Sequence, residues 1–464
     1  MTRRLIPVLL AATLALWSCV HDVIDNPGGE PVPVATDDPD DVNWARAVDY
    51  VFDADIIPEI HVSFSQQEWD RLLSCYDANS NTQEYVACDV LYIKGKEKTT
   101  VKDAGIRLKG NTSRRRPQDG SHFSHVHFGL NLHHYHNDAA HTLKGLRKMD
   151  LKWFKDDPMY VREVFCYDLF RREGVWTAVR DVYCRFWVKV GDGRELYYGI
   201  YGMMEHIDKN YLRIREKEFG SHEGNLWKCR YGADLKNTNA SIGADDDHTD
   251  YHYELKTNKE NGFPAAKAQL QDFIKNLNGL SGTAFDNWIA SHMDVDLFLK
   301  TMAVNVAVGM WDDYWNNSNN YYLYFNSTDK ENYKVWFIPY DYDNTLGTSL
   351  NCGVQSDAGR QNPLQWGHQS YPLTNKILQN SKWKNTYVEY LKSICSGSFS
   401  ASSSMERIRE WQERIGPYVS NDTGEDMSIN DRPAPWGNHH EYRLLDPGQG
   451  VNFFKVKASV VNTL

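Results

Sequence analysis

The chain has 464 residues, 41% hydrophobic and 13% aromatic, with 15 Trp and 27 Tyr; this excludes a disordered or collagen-like chain and allows a sizeable core. Its length suits one large domain with appendages or roughly two or three ordinary ones. The formal net charge of −11 argues against a general nucleic-acid binder, since that affinity comes from clustered cations, but not against a local basic pocket.

Arg3 and Arg4 precede the apolar run Leu5–Trp17, too short to span a bilayer and of signal-peptide length. It ends Leu16-Trp17-Ser18-Cys19, similar to a bacterial lipobox. Residues 1–19 are therefore expected to be a lipoprotein signal peptide with Cys19 lipidated, the alternative being an ordinary secretory signal. Either processing takes the mature chain out of the cytoplasm, with the cell envelope as the expected location. A lipid would anchor it to the membrane without a spanning segment, periplasmic or surface-exposed. Residues 20–50 are rich in Pro, Gly and Asp and read as a flexible tether. Of the later cysteines, Cys75 and Cys88 are the best disulfide candidates, and no zinc-type Cys spacing occurs.

Ile57–Phe64 alternates as a strand, and Ser65 with Glu68 reads as a helix N-terminus. Val86–Ile93 and Asp103–Lys109 are further strands. The latter runs into Gly110-Asn111-Thr112-Ser113-Arg114-Arg115-Arg116, which could cradle an anion or form a solvated basic turn. Between His122 and His141 lie seven histidines that could bind a transition metal. The alternation of Ser124–Leu132 instead favours a strand with structural histidines, and no convergent ligand spacing is visible. Leu151–Trp153 reads as a strand, and a helix with a broad apolar face runs from about Met159 to Gly174. Val182–Val190 and Tyr197–Met204 form a hairpin around Gly191-Asp192-Gly193, followed directly by Glu205, and Leu226–Cys229 is a short strand carrying Lys228. Asp234–Asp250 reads as a solvated acidic loop. From Phe263 to Gly309 the pattern is helical, as it is over Tyr371–Ile394, Ser404–Arg414 and Phe453–Val461.

Gly309–Gly347 sets Asp312, Asp313, Asn316, Asn317, Asn319, Asn320, Asp341 and Asp343 around two strand-forming runs, Tyr321–Phe325 and Val335–Tyr340. Carboxylates and amides at strand ends can hold a divalent cation through oxygen, as phosphoryl transfer requires, or can serve as Asn/Asp turn chemistry.

Six blocks carry a resemblance: GIRLKGNTSR, LKWFKDDPMYVREVFCYDLFRREG, YYGIYGMMEHIDKNYL, GNLWK, DVDLFLKTMAVNVAVGMWDDYWNNSNNYYLY and IPYDYDNTLG. In this order, over roughly residues 55–395, the chain resembles the spore-coat-protein-H (CotH-type) kinase family. The resemblance implies an α+β, atypical protein-kinase-like two-lobe fold. Residues 51–230 would be a sheet-rich nucleotide-binding lobe, 231–395 a mainly helical lobe with the catalytic hairpin, and 396–464 a helical extension. It also implies ATP with Mg²⁺ or Mn²⁺, and an exported or surface protein as acceptor at Ser or Thr. By matched position Asp312 would orient or deprotonate the acceptor hydroxyl. Asp341 would hold metal against the phosphates, with Asp343, Asn319 and Asn320 as further candidate ligands.

Members of the family the chain resembles usually read Lys-Lys-x-(Phe/Tyr)-Arg-x-Lys after the Gly-Asn-Ser loop. This chain has His125-Val126-His127-Phe128-Gly129-Leu130-Asn131, so Gly129 and Asn131 replace the Arg and Lys. Arg107, Lys109, Arg114 and Lys152 could supply the charge, positioned by Arg162 or Glu163, and Glu205 and Lys228 complete the candidate nucleotide-binding set. Two other functions stay open. One is a catalytically weak surface lipoprotein binding protein or glycan through aromatics such as Trp311, Trp315 and Trp336. The other is a glycoside hydrolase with Asp312 and Asp341 as paired carboxylates.

Overall fold

A computed structural model describes residues 23–24, 32–33, 44–245, 250–350, 357–445, 448 and 450–464. Cys19, the apolar run before it, most of the expected tether, Asp246, Asp247 and Cys352 lie outside the described residues. The protein is mixed α+β, with a sheet-rich and a helical region.

Where the sequence predicts a sheet-rich region, the strands close into a seven-stranded barrel. Its order is Asp181–Val190, Leu196–Glu205, Lys148–Lys152, His127–Asn131, Glu97–Lys109, Val86–Lys94, Glu59–Phe64. The seam is the one parallel contact, with Glu59–Phe64 beside Asp181–Val190 and Ile60 opposite Phe186. Closure follows from the alternation: Ile60, Val62 and Phe64 are buried while Glu59, His61 and Ser63 are half-buried. Val90, Ile106, Leu108, Phe128, Leu151 and Phe186 fill the interior. The helix Gln66–Ala78 begins as predicted, Ser65 Oγ accepting the Glu68 amide at 3.1 Å.

A second sheet of five strands runs Ile242–Gly243, Tyr253–Leu255, Asn225–Cys229, Tyr321–Phe325, Val335–Pro339. Its last two strands are the expected antiparallel pair, Leu323 opposite Phe337, and every residue in them is buried. Such continuously apolar runs need cover on both faces. The helices Lys259–Gly279, Gly282–His292, Val295–Ala307 and Ser381–Ser396 share one core with this sheet.

Three expectations shift for local reasons. The helix placed from Met159 begins at Arg162, because Asp157 accepts the amides of Met159, Val161 and Arg162 and Tyr160 has φ +60°, which no helix continues through. Tyr371–Ile394 is two helices, Pro372–Ile377 and Ser381–Ser396, the second capped by Asn380. Cys75 and Cys88 are both free. Cys88 is buried in a barrel strand and Cys75 sits on the adjoining helix, and all six described cysteines are unbridged. Among the described residues no helix is long and apolar enough to cross a membrane.

Candidate active site

A cleft of about 620 Å³ separates the barrel's outer face from the second sheet. In the barrel, Arg107 pairs with Gly129, Lys109 with His127, and Gly129 with Asp150. Because side chains alternate with period two, Arg107, Lys109, His127, Asp150 and Lys152 share one face, opposite the interior-filling Ile106, Leu108, Phe128 and Leu151. The cleft is therefore walled by cations on the barrel side. Facing them are Lys228 from the second sheet and Tyr340 just past its edge strand, then Asp312, Asn319, Asn320, Asp341 and Asp343.

Lys152 is the hinge of this arrangement. Its Nζ lies 2.6 Å from Glu163 Oε2, on the first turn of the Arg162–Arg172 helix, and 2.7 Å from Asp341 Oδ1. Asp341 follows the strand Val335–Pro339 in the left-handed region, φ +63°, and its amide donates to Tyr167 Oη at 3.0 Å. Burial opposes the charge on Lys152, but Asp341 and Glu163 outweigh it and hold the ammonium well above its ordinary range. Burial likewise works against Asp341, and the Lys152 ammonium reverses it, so that carboxyl is held low.

At the other wall Asp312 is wrapped by amides. Oδ1 accepts from Asn317 Nδ2 at 2.6 Å and Asn319 Nδ2 at 3.1 Å, and Oδ2 from Asn320 Nδ2 at 3.0 Å. Ser318 (φ +49°) and Asn320 (φ +53°) turn this segment back onto the acid. Burial still outweighs these bonds and pushes Asp312 up to about 6. Its neighbour Asp313 points away from the cleft, where it accepts the Asn316 amide at 2.7 Å and Asn305 Nδ2 at 2.5 Å. Asp343 Oδ1 is buried with no hydrogen-bond partner among the described residues, and burial, then the Asp341 charge, push that carboxyl well up. An orphaned carboxylate oxygen two residues from a second carboxylate is a donor set suited to a hard divalent cation. Asn319 and Asn320 spend their amide nitrogens on Asp312, which leaves oxygen as the ligand atom of each. The residues present therefore fit Mg²⁺ or Mn²⁺.

The remaining cations differ in freedom. Lys109 pairs with Asp150, which also meets His206 Nδ1 at 3.1 Å. Burial depresses Lys109 while Asp150 counters it. Lys228 makes no ion pair among the described residues; it lies 5.2 Å over the Tyr340 ring, and burial, then Arg230, pull it down to about 7. The Arg107 guanidinium lies 5.4 Å over Tyr85. Arg114 binds the carbonyls of Gly110, Ser80 and Thr82 and thereby anchors the loop. That loop needs its glycine: Gly110 has φ +103°, and a Cβ there would lie 2.4 Å from Ser113 Oγ.

Gly129, which stands where the family pattern has an arginine, is covered by a cation from the neighbouring strand. A Cβ at Gly129 would lie 3.0 Å from both Cγ and Cδ of Lys109. The stem of Lys109 crosses the glycine from the adjacent strand, so the space over position 129 still carries a cation.

Residues 106–442 match the family model described as CotH kinase protein. The chain belongs to the CotH kinase family. Inner spore coat protein H of Bacillus subtilis is 26% identical over 280 residues, 60% of this chain and 70% of that protein. Spore coat protein homolog 1 of Rhizopus delemar is 24% identical over 306 residues, 61% of this chain and 44% of that protein. Invasin CotH7 of Rhizopus delemar is 24% identical over 393 residues, 80% of this chain and 58% of that protein. The chain thus spans about half the length of the two fungal relatives.

The CotH match takes in every residue placed above at the cleft. It also takes in predicted site residues that lie elsewhere. Arg162 is buried, paired with Asp157 and donating to the carbonyls of Thr345 and Arg432. Glu205 is buried between Arg180 and Arg215, its Oε2 2.6 Å from Arg215 Nη2. Glu163 stands behind Lys152. Trp311, Trp315 and Trp336 are buried, so they provide no stacking surface for a glycan or peptide. The sequence reading passes over Asp150, although counting back by two from Lys152 puts it on the same face, and counts His127 among the structural histidines. His127 accepts the Trp153 amide at 3.2 Å, and burial holds it neutral, down to about 3.

Proposed function

We propose that this protein is an exported CotH-type kinase that transfers a phosphoryl group from ATP to a Ser or Thr hydroxyl of an envelope or surface protein, using Mg²⁺ or Mn²⁺. In this reading the barrel is the nucleotide lobe of an atypical kinase-like two-lobe frame. The observation that carries it is Lys152, held by Glu163 from a helix while reaching Asp341 across the cleft. A lysine paired to a helix glutamate beside a metal-holding aspartate is how protein kinases grip ATP.

Each group has a physical task. Lys152, Lys109, Arg107 and Lys228 offset the phosphate charge, and the backbone of the Gly110–Ser113 loop offers N–H groups to it. Asp341 and Asp343 would hold the divalent cation, with amide oxygens of Asn319 and Asn320 in reach of the same wall; the cation, when bound, neutralises charge that builds on the phosphates. Asp312, raised to about 6, is ionised at neutral pH and receives or orients the acceptor's proton, while its three amide partners fix its direction. The run Leu5–Trp17 ending at Cys19 supports export with a lipid anchor.

The test is incubation with γ-labelled ATP and Mg²⁺ or Mn²⁺, followed by phosphoamino-acid analysis. Label on Ser or Thr is expected, lost in Asp312→Ala with ATP binding retained, and lost together with metal-dependent ATP binding in Asp341→Ala. Absence of any calorimetric heat with ATP and either metal would overturn the kinase reading and leave a binding module.

A further inference from the structure

The excursion between the strands His127–Asn131 and Lys148–Lys152 carries histidines for which the proposed activity has no use. At its tip Asp138 accepts the His141 amide at 3.2 Å, and its Oδ1 lies 2.7 Å from His141 Nδ1. The His136 ring stacks on His141, 4.0 Å between centroids and 20° between planes. One ligand atom from each of His136, Asp138 and His141 falls within 4.8 Å of the other two. On the strand Glu97–Lys109, Asp103 (φ +50°) sits where the register with Val86–Lys94 shifts, and its Oδ2 lies 3.7 Å from His136 Nε2. The spacing His-x-Asp-x-x-His gives no helical i, i+4 pair, which is why convergence is invisible in the sequence.

We propose that His136, Asp138, His141 and Asp103 bind one transition-metal cation of the Zn²⁺ class. Two imidazoles and two carboxylates suit a borderline ion in a four-coordinate shell. Ligand atoms about 2.0–2.2 Å from such an ion stand roughly 3.5 Å apart; the Asp138–His141 and His136–Asp103 separations, 2.7 Å and 3.7 Å, lie on either side of that value, and binding requires the stacked His136 and His141 rings to rotate their nitrogens toward the ion. Two carboxylates balance the dication. A hard ion prefers an all-oxygen shell, which the cleft offers and this loop does not. The second cluster of this kind among the described residues, Asp357, His439 and Glu441, already holds a cation: Arg360 lies 2.8 Å from Asp357 and 2.9 Å from Glu441. Bound metal would tie the excursion to the strand that carries Arg107 and Lys109 into the cleft.

The experiment titrates the full chain with Zn²⁺ in excess Mg²⁺, which keeps the oxygen site engaged, using a competing chromophoric chelator and X-ray absorption to read the first shell. One equivalent with a mixed nitrogen and oxygen shell is expected. Affinity should fall more than about tenfold in His136→Ala and in His141→Ala and stay unchanged in His122→Ala, whose side chain is 57% exposed in the same histidine-rich segment. The His136 side chain is 40% exposed, so its removal leaves the fold intact, as the zinc-free Tm checks. Lack of saturable Zn²⁺ binding, unchanged affinity in both site variants, or an equal loss in His122→Ala would overturn the proposal, whatever the outcome of the kinase assay.

Discussion

Lys152 and Asp341 meet across the cleft, the ammonium of a barrel strand 2.7 Å from the carboxylate two residues past the second sheet's edge strand Val335–Pro339. Since Lys152 also neutralises buried Glu163, its loss strands two carboxylates. Lys152→Met is expected to cost about 3–5 kcal/mol in urea denaturation, because breaking a buried pair leaves uncompensated charge. Adding Glu163→Gln should recover part of that stability and none of the ATP affinity. If both returned together, Lys152 would be structural only.

Asp312 predicts an acid limb. Its carboxyl is raised to about 6, and only the ionised form takes a proton, so turnover should rise with pH through about 6 and then level. Asp312→Asn should lower the phosphorylation rate by about 10²–10⁴ and flatten that limb, with ATP affinity nearly unchanged. An unaltered limb in the variant would assign the titration to another group.

The orphaned oxygen of Asp343 separates metal binding from folding. Its folded-state pKa is raised, so its charge costs stability as pH climbs above the unfolded value, and Asp343→Asn should raise the Tm of the metal-free chain at neutral pH. The same variant should lose the Mg²⁺-dependent rise in Tm, which for the unmutated chain at a hundred times Kd corresponds to about 2.7 kcal/mol. A metal response that survives would remove Asp343 from the ligand set.

Glu205 should matter for folding and not for the nucleotide. Burial works against its charge, but Arg215 and Arg180 bring its carboxyl down to about 2. A depressed folded-state pKa contributes stability that is present above about 4.5 and lost as pH falls through about 2, on the order of 3 kcal/mol in all. Glu205→Gln should therefore flatten acid unfolding over that window. Its ATP affinity, measured at neutral pH where the chain is folded, should match the unmutated protein.

Legibility in the sequence tracks how local each determinant is. Ile60, Val62 and Phe64 announce a strand by alternation, and Ser65 announces the helix after it, because periodicity and caps are written within a few residues. Alternation names no partner, so it cannot reveal that Phe64 ends up opposite Val190. The site divides the same way. Asp312, Asp341 and Lys152 sit in recognisable blocks, whereas the cover that Lys109 gives Gly129 depends on strand register. Arg162 and Glu163 are adjacent in the chain but turn about 100° apart on a helix, so one supports Lys152 and the other is buried against Asp157.

The seam of the barrel sets an order on biosynthesis. A chain made from its N-terminus completes Glu59–Phe64 and pairs it with Val86–Lys94 long before Asp181–Val190 leaves the ribosome. Throughout that interval one side of the first strand presents unmatched N–H and C=O groups to any passing strand. The ring can shut only once Leu196–Glu205 is also made, because that strand joins Asp181–Val190 to Lys148–Lys152; until about residue 205 the open edges are the part of a growing chain most exposed to mispairing.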